Sequence, residues 1–554
     1  MRLSMLALSL VALLAPSGIA ADDRSASAVG YVCSAEHGAA PVGSARRLVM
    51  VAGVGTGGFP IATARPEAQA WFDYGMRLAH AFYHEDAKLA FKRSRLIDPD
   101  CAMCAWGEAW ADGPTINYDV RAADRKTAGV IVAQAATLSA RESPKNRFLI
   151  GALKLRYAAG AGAAADVTFA KAMDALSRLY PDDDEIAVMT SDAWLMLEQQ
   201  HDDPQGVTRS VSVLEPVLRR HPDNTAAIHF YIHATEVADH PASALPYADR
   251  LGALAPGASH LVHMASHTFF RAGRYEDAGV ANAKAIAVDA AYLRIAHDAT
   301  PQGKIAYHHH NLRFGLAGAT AAGDGPLALR LADHVRYAFP ADVAREGGSQ
   351  ISAGSADIAY GRFAPDRALA LPDPGAAAPY AAALRHYARG EALAARGDVA
   401  GVKAEASAIE AEKGAADATP VWFHTSAAAV VRIAALTLRG RAAMLQGDPG
   451  AAAKFYAAAA TIQDADLSFK GAYDPPPWWY PERRSLAAAL LAAGLPAKAV
   501  IEARRALTTW PHEPLTLQVL GQAERAARHG AVDRRDLAEA KWGWRGESVS
   551  LARM

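Results

Sequence analysis

The chain has 554 residues, too many for one compact core but a natural length for a stack of small helical units. Its 57 Lys and Arg against 58 Asp and Glu leave a formal net charge of −1, so the charge balance points to no nucleic acid or other polyanion. Three cysteines, an odd number in so long a chain, exclude a disulfide-dense scaffold.

Residues 1–21 read as a secretory signal peptide, with Arg2 as the positive start, an apolar run over 6–14 and Gly18-Ile19-Ala20 as a small-residue cleavage site. The run is too short for a comfortable membrane span, no Cys follows it for lipid attachment, and no later segment looks transmembrane. The expectation is an exported protein, periplasmic or secreted, with no membrane span after signal removal. Residues 22–60, rich in Gly, Ala and Ser, are expected to be an irregular lead-in.

From there helical periodicity dominates, and the predicted fold is all-α: a tetratricopeptide-like (TPR-like) α-solenoid of helix-turn-helix repeats. An N-terminal array is expected over 61–346. Gly75, Leu78, Ala87, Phe91, Ser94 and Pro99 fit one repeat frame, and Ile232, Thr235, Ala244, Ala248, Leu251 and Pro256 fit it again. Ser266, Phe269, Ala278, Asn282 and Ala285 continue directly, and Leu316, Ala319, Ala328, Ala332 and Pro340 form another unit. The stretch 113–121 interrupts one unit after its first helix. Residues 347–379, containing Pro365, Pro372 and Pro374, are expected to be a linker or long loop. A C-terminal array over 380–554 follows, clearest at Ala487, Leu490, Ala499, Ala503, Ala506 and Pro511, with a charged capping helix after Val532.

In such a frame the first helix of each unit lines a concave groove. Cys101 and Cys104 would face it with Glu108; a soft-metal site, a local disulfide and buried thiols are all open for the pair. His229-x-x-x-His233 recurs 34 residues later as His263-x-x-x-His267, and 34 residues is the length of one repeat. Six of the 20 histidines fall between 229 and 267, the other two being His240 and His260. Histidines at i and i+4 lie one helical turn apart and can grip one ion; neutral imidazole suits zinc, copper or iron. The candidate metal ligands are His229, His233, His260, His263, His267 and His310, with His263 and His267 the best pair and His260 a turn away. A packed polar core is the competing expectation. Glu236, too far along its helix to share an ion with both His229 and His233, is the candidate for orienting an imidazole or for acid/base work.

Within Tyr307-His308-His309-His310-Asn311 only His310 falls in phase with the groove, and the triple His otherwise reads as a solvated or metal-sticky tract. Asn311 joins the candidate ligand-binding residues. Trp479, Tyr480 and Arg483, in a stretch rich in Pro and aromatics, are candidates for recognising a peptide or a carboxylate, against packing of a helix pair on its loop. No Gly-rich phosphate loop, nucleophile elbow or basic-aromatic stripe is present in the sequence.

Several motifs are more specific than repeat residues. They are Gln69-x-Trp71-Phe72-Asp73-x-Gly75, Phe82-x-His84-x-Asp86-Ala87, Asp98-Pro99-x-Cys101-Ala102-Met103-Cys104, His229-x-Tyr231-Ile232-His233-x-x-Glu236, His260-Leu261-x-His263-Met264-x-Ser266-His267, Tyr307-x-x-His310-Asn311 and Trp479-Tyr480-Pro481-x-Arg483. On these the chain resembles a family of exported bacterial TPR proteins from about Phe59 to Pro511. The resemblance implies the repeat fold and a His-rich groove but no established reaction. Members tend to have Pro where His309 stands and His where Arg313 stands.

The function expected from these features is an exported repeat scaffold whose concave groove binds a peptide, a protein or a small acidic ligand, with a His-bound transition metal. The alternative is a metal-dependent enzyme, hydrolytic or redox, with Glu236 assisting beside the ion.

Overall fold

A computed structural model describes residues 48–158, 162–201, 203, 205–296, 305, 307–338, 347–417, 427–467, 474–527 and 543–554. The expected signal peptide, most of the lead-in, Cys33 and the stretch 533–542 of the expected capping helix lie outside the described residues. Among the described residues there are 23 α-helices and no strand. Consecutive helices pack against one another, and alternate helices also touch: Thr225–Val237 meets Ser259–Arg271, which in turn meets His308–Ala322. This is the TPR-like solenoid. None of the described helices is long and apolar enough to cross a membrane.

Local sequence sets the helix ends. Pro66, Pro379, Pro449, Pro496 and Pro514 each stand in a first helical turn, where the missing N–H removes no hydrogen bond. The side chains of Asn224 and Asp448 accept the backbone N–H groups of Ala227 (3.0 Å) and Ala451 (2.9 Å). Gly273 ends the Ser259–Arg271 helix at φ +80°, and a Cβ there would lie 2.2 Å from the Pro511 carbonyl oxygen. Both the left-handed angle and the close approach demand glycine.

That approach shows how the coil closes on itself. The C-terminal units return to the middle of the chain: the Tyr275 hydroxyl donates to the Pro511 carbonyl (3.0 Å), and Trp510 packs edge-on against Phe270. From the other end, Gly257 N–H donates to the Gly53 carbonyl (2.8 Å), and the Thr225 hydroxyl accepts the Thr56 N–H (2.8 Å). One buried apolar cluster therefore runs from Val54 through the central helices to Trp479 and Trp510. The Ser259–Arg271 helix is buried at every position from Ser259 to Phe270.

The expected linker at 347–379 is corrected. Gly347–Phe363 is a helix packed between Gly325–Ala338 and Pro379–Ala395, and Pro365–Leu369 is a short helix. Pro365 starts that short helix instead of breaking one, and only the turn around Pro372 and Pro374 is irregular. The interruption at 113–121 is irregular as expected, and it delivers Asn117 to the centre of the molecule.

Candidate metal centre

The six candidate histidines meet at the centre of the coil, all buried. They divide into two triads whose ligating nitrogens lie within 4.8 Å of one another: His229, His233 and His260, and His263, His267 and His310. Each triad takes an i, i+4 pair from one inner helix and its third member from the first turn of the next inner helix. His260 therefore belongs with His229, not with His263 and His267 as its place on the same helix suggested. The repeat has built one arrangement twice.

In the first triad His229 Nε2 lies 3.1 Å from His233 Nε2 and 3.2 Å from His260 Nε2. In the second, His263 Nε2 lies 3.0 Å from His267 Nε2 and 2.9 Å from His310 Nε2. Nitrogens about 2.0–2.1 Å from a tetrahedral ion sit about 3.3–3.4 Å apart, so three of them fit such a shell with little adjustment.

The hydrogen bonds on the far side of each ring bear on which nitrogen carries the proton. In the second triad two of the three Nδ1 atoms are hydrogen-bonded and the third lies near a carboxylate. His263 Nδ1 donates to Asn282 Oδ1 (2.6 Å), and the Asn282 orientation is fixed because its Nδ2 donates to the Ala278 carbonyl (2.8 Å). His267 Nδ1 donates to Glu236 Oε2 (2.9 Å), and His310 Nδ1 lies 3.3 Å from Asp474 Oδ2. A neutral imidazole has one proton; spent on Nδ1, it leaves a bare lone pair on Nε2. Where all three rings carry their proton on Nδ1, three such lone pairs at these distances repel unless a cation lies among them. Protonation is opposed: burial, followed by His310 and His267 beside it, holds His263 well below the usual imidazole range.

The first triad is less constrained. His229 Nδ1 donates to the His80 carbonyl (2.6 Å), and burial pushes this imidazole down to about 3. His233 Nδ1 and His260 Nδ1 have no hydrogen-bond partner among the described residues, so their tautomers are not fixed. Burial, then His229 beside them, holds both low. Two aromatics wall this triad. Phe82 stacks on His233 (5.4 Å) and His260 (5.2 Å), and Tyr307 covers His260 at 4.4 Å while accepting a hydrogen bond from Asn117 Nδ2 (2.6 Å). Phe82 and Tyr307 both adopt left-handed backbone angles, φ 59° and 65°, which bulky residues rarely do. Backbone strain thus sits directly against the histidines.

Other expectations need correction. All six histidines are buried among the described residues, so their rings are not presented on an exposed groove surface. Of the alternatives left open for Cys101 and Cys104, the structure has the local disulfide. The two sulfurs, three residues apart at a helix start, are joined and fully buried, and no thiolate is left for a metal. Glu108 is paired with Arg95 (2.8 Å). The triple His is not solvated: His308, His309 and His310 are buried, and His308 Nδ1 donates to Asp289 (2.8 Å). Arg483 is bound in ion pairs to Asp464 and Glu502, away from the histidines. Trp479 is buried as packing, and Tyr480 lies beside it. Asn311 is buried next to His310, with both amide atoms lacking a partner among the described residues. Glu236 is buried on the outer side of His267 and orients that ring from behind.

The residues that sequence reasoning missed are the outer partners. Asn282 carried a signal, a polar side chain at a repeat place that usually holds a small apolar residue. Asp474 carried only its place in the aromatic stretch. Its carboxyl is buried, which pushes it up, yet His310 and Arg313 beside it hold it well below the usual carboxylate range.

No family model and no curated protein matches the sequence. Solved helical structures are similar at low identity. The human IFIT1 dimer with m7Gppp-AAAA is 13% identical with a TM-score of 0.33, over 79% of this chain and 90% of that one. The APC/C hetero-tetramer Cut9-Hcn1 is 11% identical with a TM-score of 0.26, over 84% of this chain and 78% of that one. Yeast Tom70 is 10% identical with a TM-score of 0.28, over 86% and 92%. At these values what each of them binds is a property of that protein alone.

Proposed function

We propose that this protein is an exported, metal-holding TPR-like solenoid in which each histidine triad binds one transition-metal ion, zinc, copper or iron, inside the closed coil. The observation that carries the reading is the second triad: three Nε2 atoms converge while the Nδ1 atoms of His263 and His267 are engaged by Asn282 and Glu236 and that of His310 lies 3.3 Å from Asp474 Oδ2. Partners of this kind on the far side of each ring are what fixes a ligating tautomer. Export rests on the signal-like residues 1–21.

Three protein ligands leave a fourth position on a tetrahedral ion, the arrangement of catalytic rather than closed structural zinc sites. That favours metal-assisted chemistry as the second reading. Glu236 serves there as a positioning residue for His267 rather than as a base, because it sits on the side of the ring away from the converging nitrogens.

Elemental analysis after loading with zinc or copper and desalting tests the proposal. The wild-type protein is expected to retain two equivalents, His263→Ala to lose the second-triad ion, and His229→Ala to lose the first. Retention of the same metal content by both variants, at unchanged helicity, would overturn it.

A further inference from the structure

Residues 543–554 lie along the first helices of the C-terminal units. Apart from the single turn Leu551–Arg553 the segment has no regular structure, so its main-chain groups need partners elsewhere. Side chains of four first helices supply them. Gln518 Nε2, from Pro514–Ala526, donates to the Val549 carbonyl (3.4 Å), and Arg362 Nη1, from Gly347–Phe363, to that of Arg553 (3.1 Å). Arg441 Nη1, from Ala427–Leu445, and Ser485 Oγ, from Glu482–Ala492, both donate to the main-chain oxygen of Met554 (2.8 and 2.6 Å).

The side chains of the segment divide into two faces. Met554 is fully buried in a cluster with Leu515 and Leu520, and Val549 and Leu551 pack against that cluster, while Ser548 and Ser550 are exposed. One side of the segment therefore faces solvent, and it can leave without any helix parting. Its other anchor is Arg545, whose N–H donates to the Ala322 carbonyl (2.9 Å) and whose exposed guanidinium pairs with Glu276 (2.6 Å). The charges beneath the segment are met within the units themselves. Arg441 pairs with Glu391 (2.9 Å), which also attracts Arg362, and Arg484 pairs with Glu513 (2.8 Å), with Glu482 buried near Arg441. What this face offers a ligand is hydrogen bonds to main-chain oxygens and apolar pockets, with no spare charge.

We propose that this face of the C-terminal units is a docking groove for an extended peptide of a partner protein, and that residues 543–554 occupy it as a tethered competitor. The partner segment carries apolar side chains at the spacing of Val549, Leu551 and Met554, with uncharged polar residues between them. Bonds to main-chain oxygens give affinity whatever the sequence, and the pockets select the side chains. A ligand carried on the same chain competes at an effective concentration on the order of millimolar, so a partner enters chiefly when the segment is loosened. The groove is built from helices after residue 346, apart from those that carry the histidine triads, and the proposal does not rest on the metal ions.

The test is fluorescence anisotropy of a labelled synthetic peptide of residues 543–554, titrated with the full chain. Leu551→Asp/Met554→Asp sets two charges in the apolar pockets and releases the segment. Arg545→Glu loosens it from the exposed side, by setting a carboxylate against Glu276. Wild type is expected to bind the peptide weakly and each loosened variant about tenfold more tightly or better, the competitor being gone. A control peptide with Ser at the three apolar positions should bind none of them. Adding Ser485→Ala to Leu551→Asp/Met554→Asp removes one donor to the peptide and should weaken binding roughly threefold to tenfold. No binding by a loosened variant of unchanged helicity, or equal affinity in wild type and both variants, would overturn the proposal. So would a wild-type dimer that Leu551→Asp/Met554→Asp dissociates, because the groove would then belong to the segment of a second copy.

Discussion

At the residue scale, the second triad depends on where each imidazole proton goes. Glu236→Leu removes the acceptor behind His267 and frees its tautomer. Metal affinity is expected to fall about 10–100-fold, the usual effect of losing such a partner. Competition with a chromophoric chelator measures this, and an unchanged affinity would refute the role assigned to Glu236. The pH dependence of the metal-free protein follows from the same burial. The histidine side chain titrates near 6.5 when free, and burial holds His229 down to about 3 in the folded state. A folded pKa below the unfolded one means that the stability is complete above 6.5 and drains as pH falls towards the folded value. Urea midpoints of metal-free protein should therefore decline steadily from pH 6.5 to 4; a flat profile would contradict the neutral, buried state of His229. Four of the six converging histidines were legible in the sequence because the repeat copies its i, i+4 pair at one period, and His310 by its phase with the groove. Their division into triads was not, since His260 and His263 share a helix turn and only the stacking of helices decides which neighbour each ring meets.

At the element scale, helix ends carry most of the information. The solenoid was legible because Pro starts and Gly stops recur in phase with small residues at the packing places. The same logic misread 347–379, where Pro365 lies in the first turn of a helix and costs it no hydrogen bond. Local rules give Pro two opposite meanings, and burial of Ile351, Ile358 and Tyr360 chose between them. Two glycines with similar angles make a paired test. A methyl group added at Gly447 (φ +73°) would meet nothing within 4 Å, whereas at Gly273 the same methyl meets the Pro511 carbonyl. Gly447→Ala should cost about 1–2 kcal/mol from backbone strain alone. Gly273→Ala should cost clearly more, because the returning C-terminal arm must also shift. Equal losses in urea denaturation would mean that the arm does not pack against that turn.

At the scale of the whole molecule, distant parts of the chain close over the histidines. His310 and Asp474 are brought together across 164 positions of sequence, a contact no local pattern announces. The lead-in at 48–60 and the C-terminal units cover what an isolated repeat would leave as a groove, so the histidines sit in a dry interior where neutral imidazoles are favoured and a bound cation is well shielded. Metal should therefore stabilise the entire fold and not one unit. At a free concentration 100 times its dissociation constant, one bound ion adds about 2.7 kcal/mol to stability. A rise in the melting temperature of the single main transition on zinc addition, absent in His263→Ala/His267→Ala, is the expected calorimetric result; stabilisation of equal size in that variant would place the ion elsewhere.

The most direct measurement is anomalous X-ray diffraction from crystals of the metal-loaded protein at the absorption edge of the loaded ion. A peak is expected about 2.0–2.1 Å from the Nε2 atoms of His263, His267 and His310, the distance of a zinc–imidazole bond, with a second peak among His229, His233 and His260. Density showing the six rings in these same two triads, with no anomalous peak among them after loading, would contradict the metal-holding role.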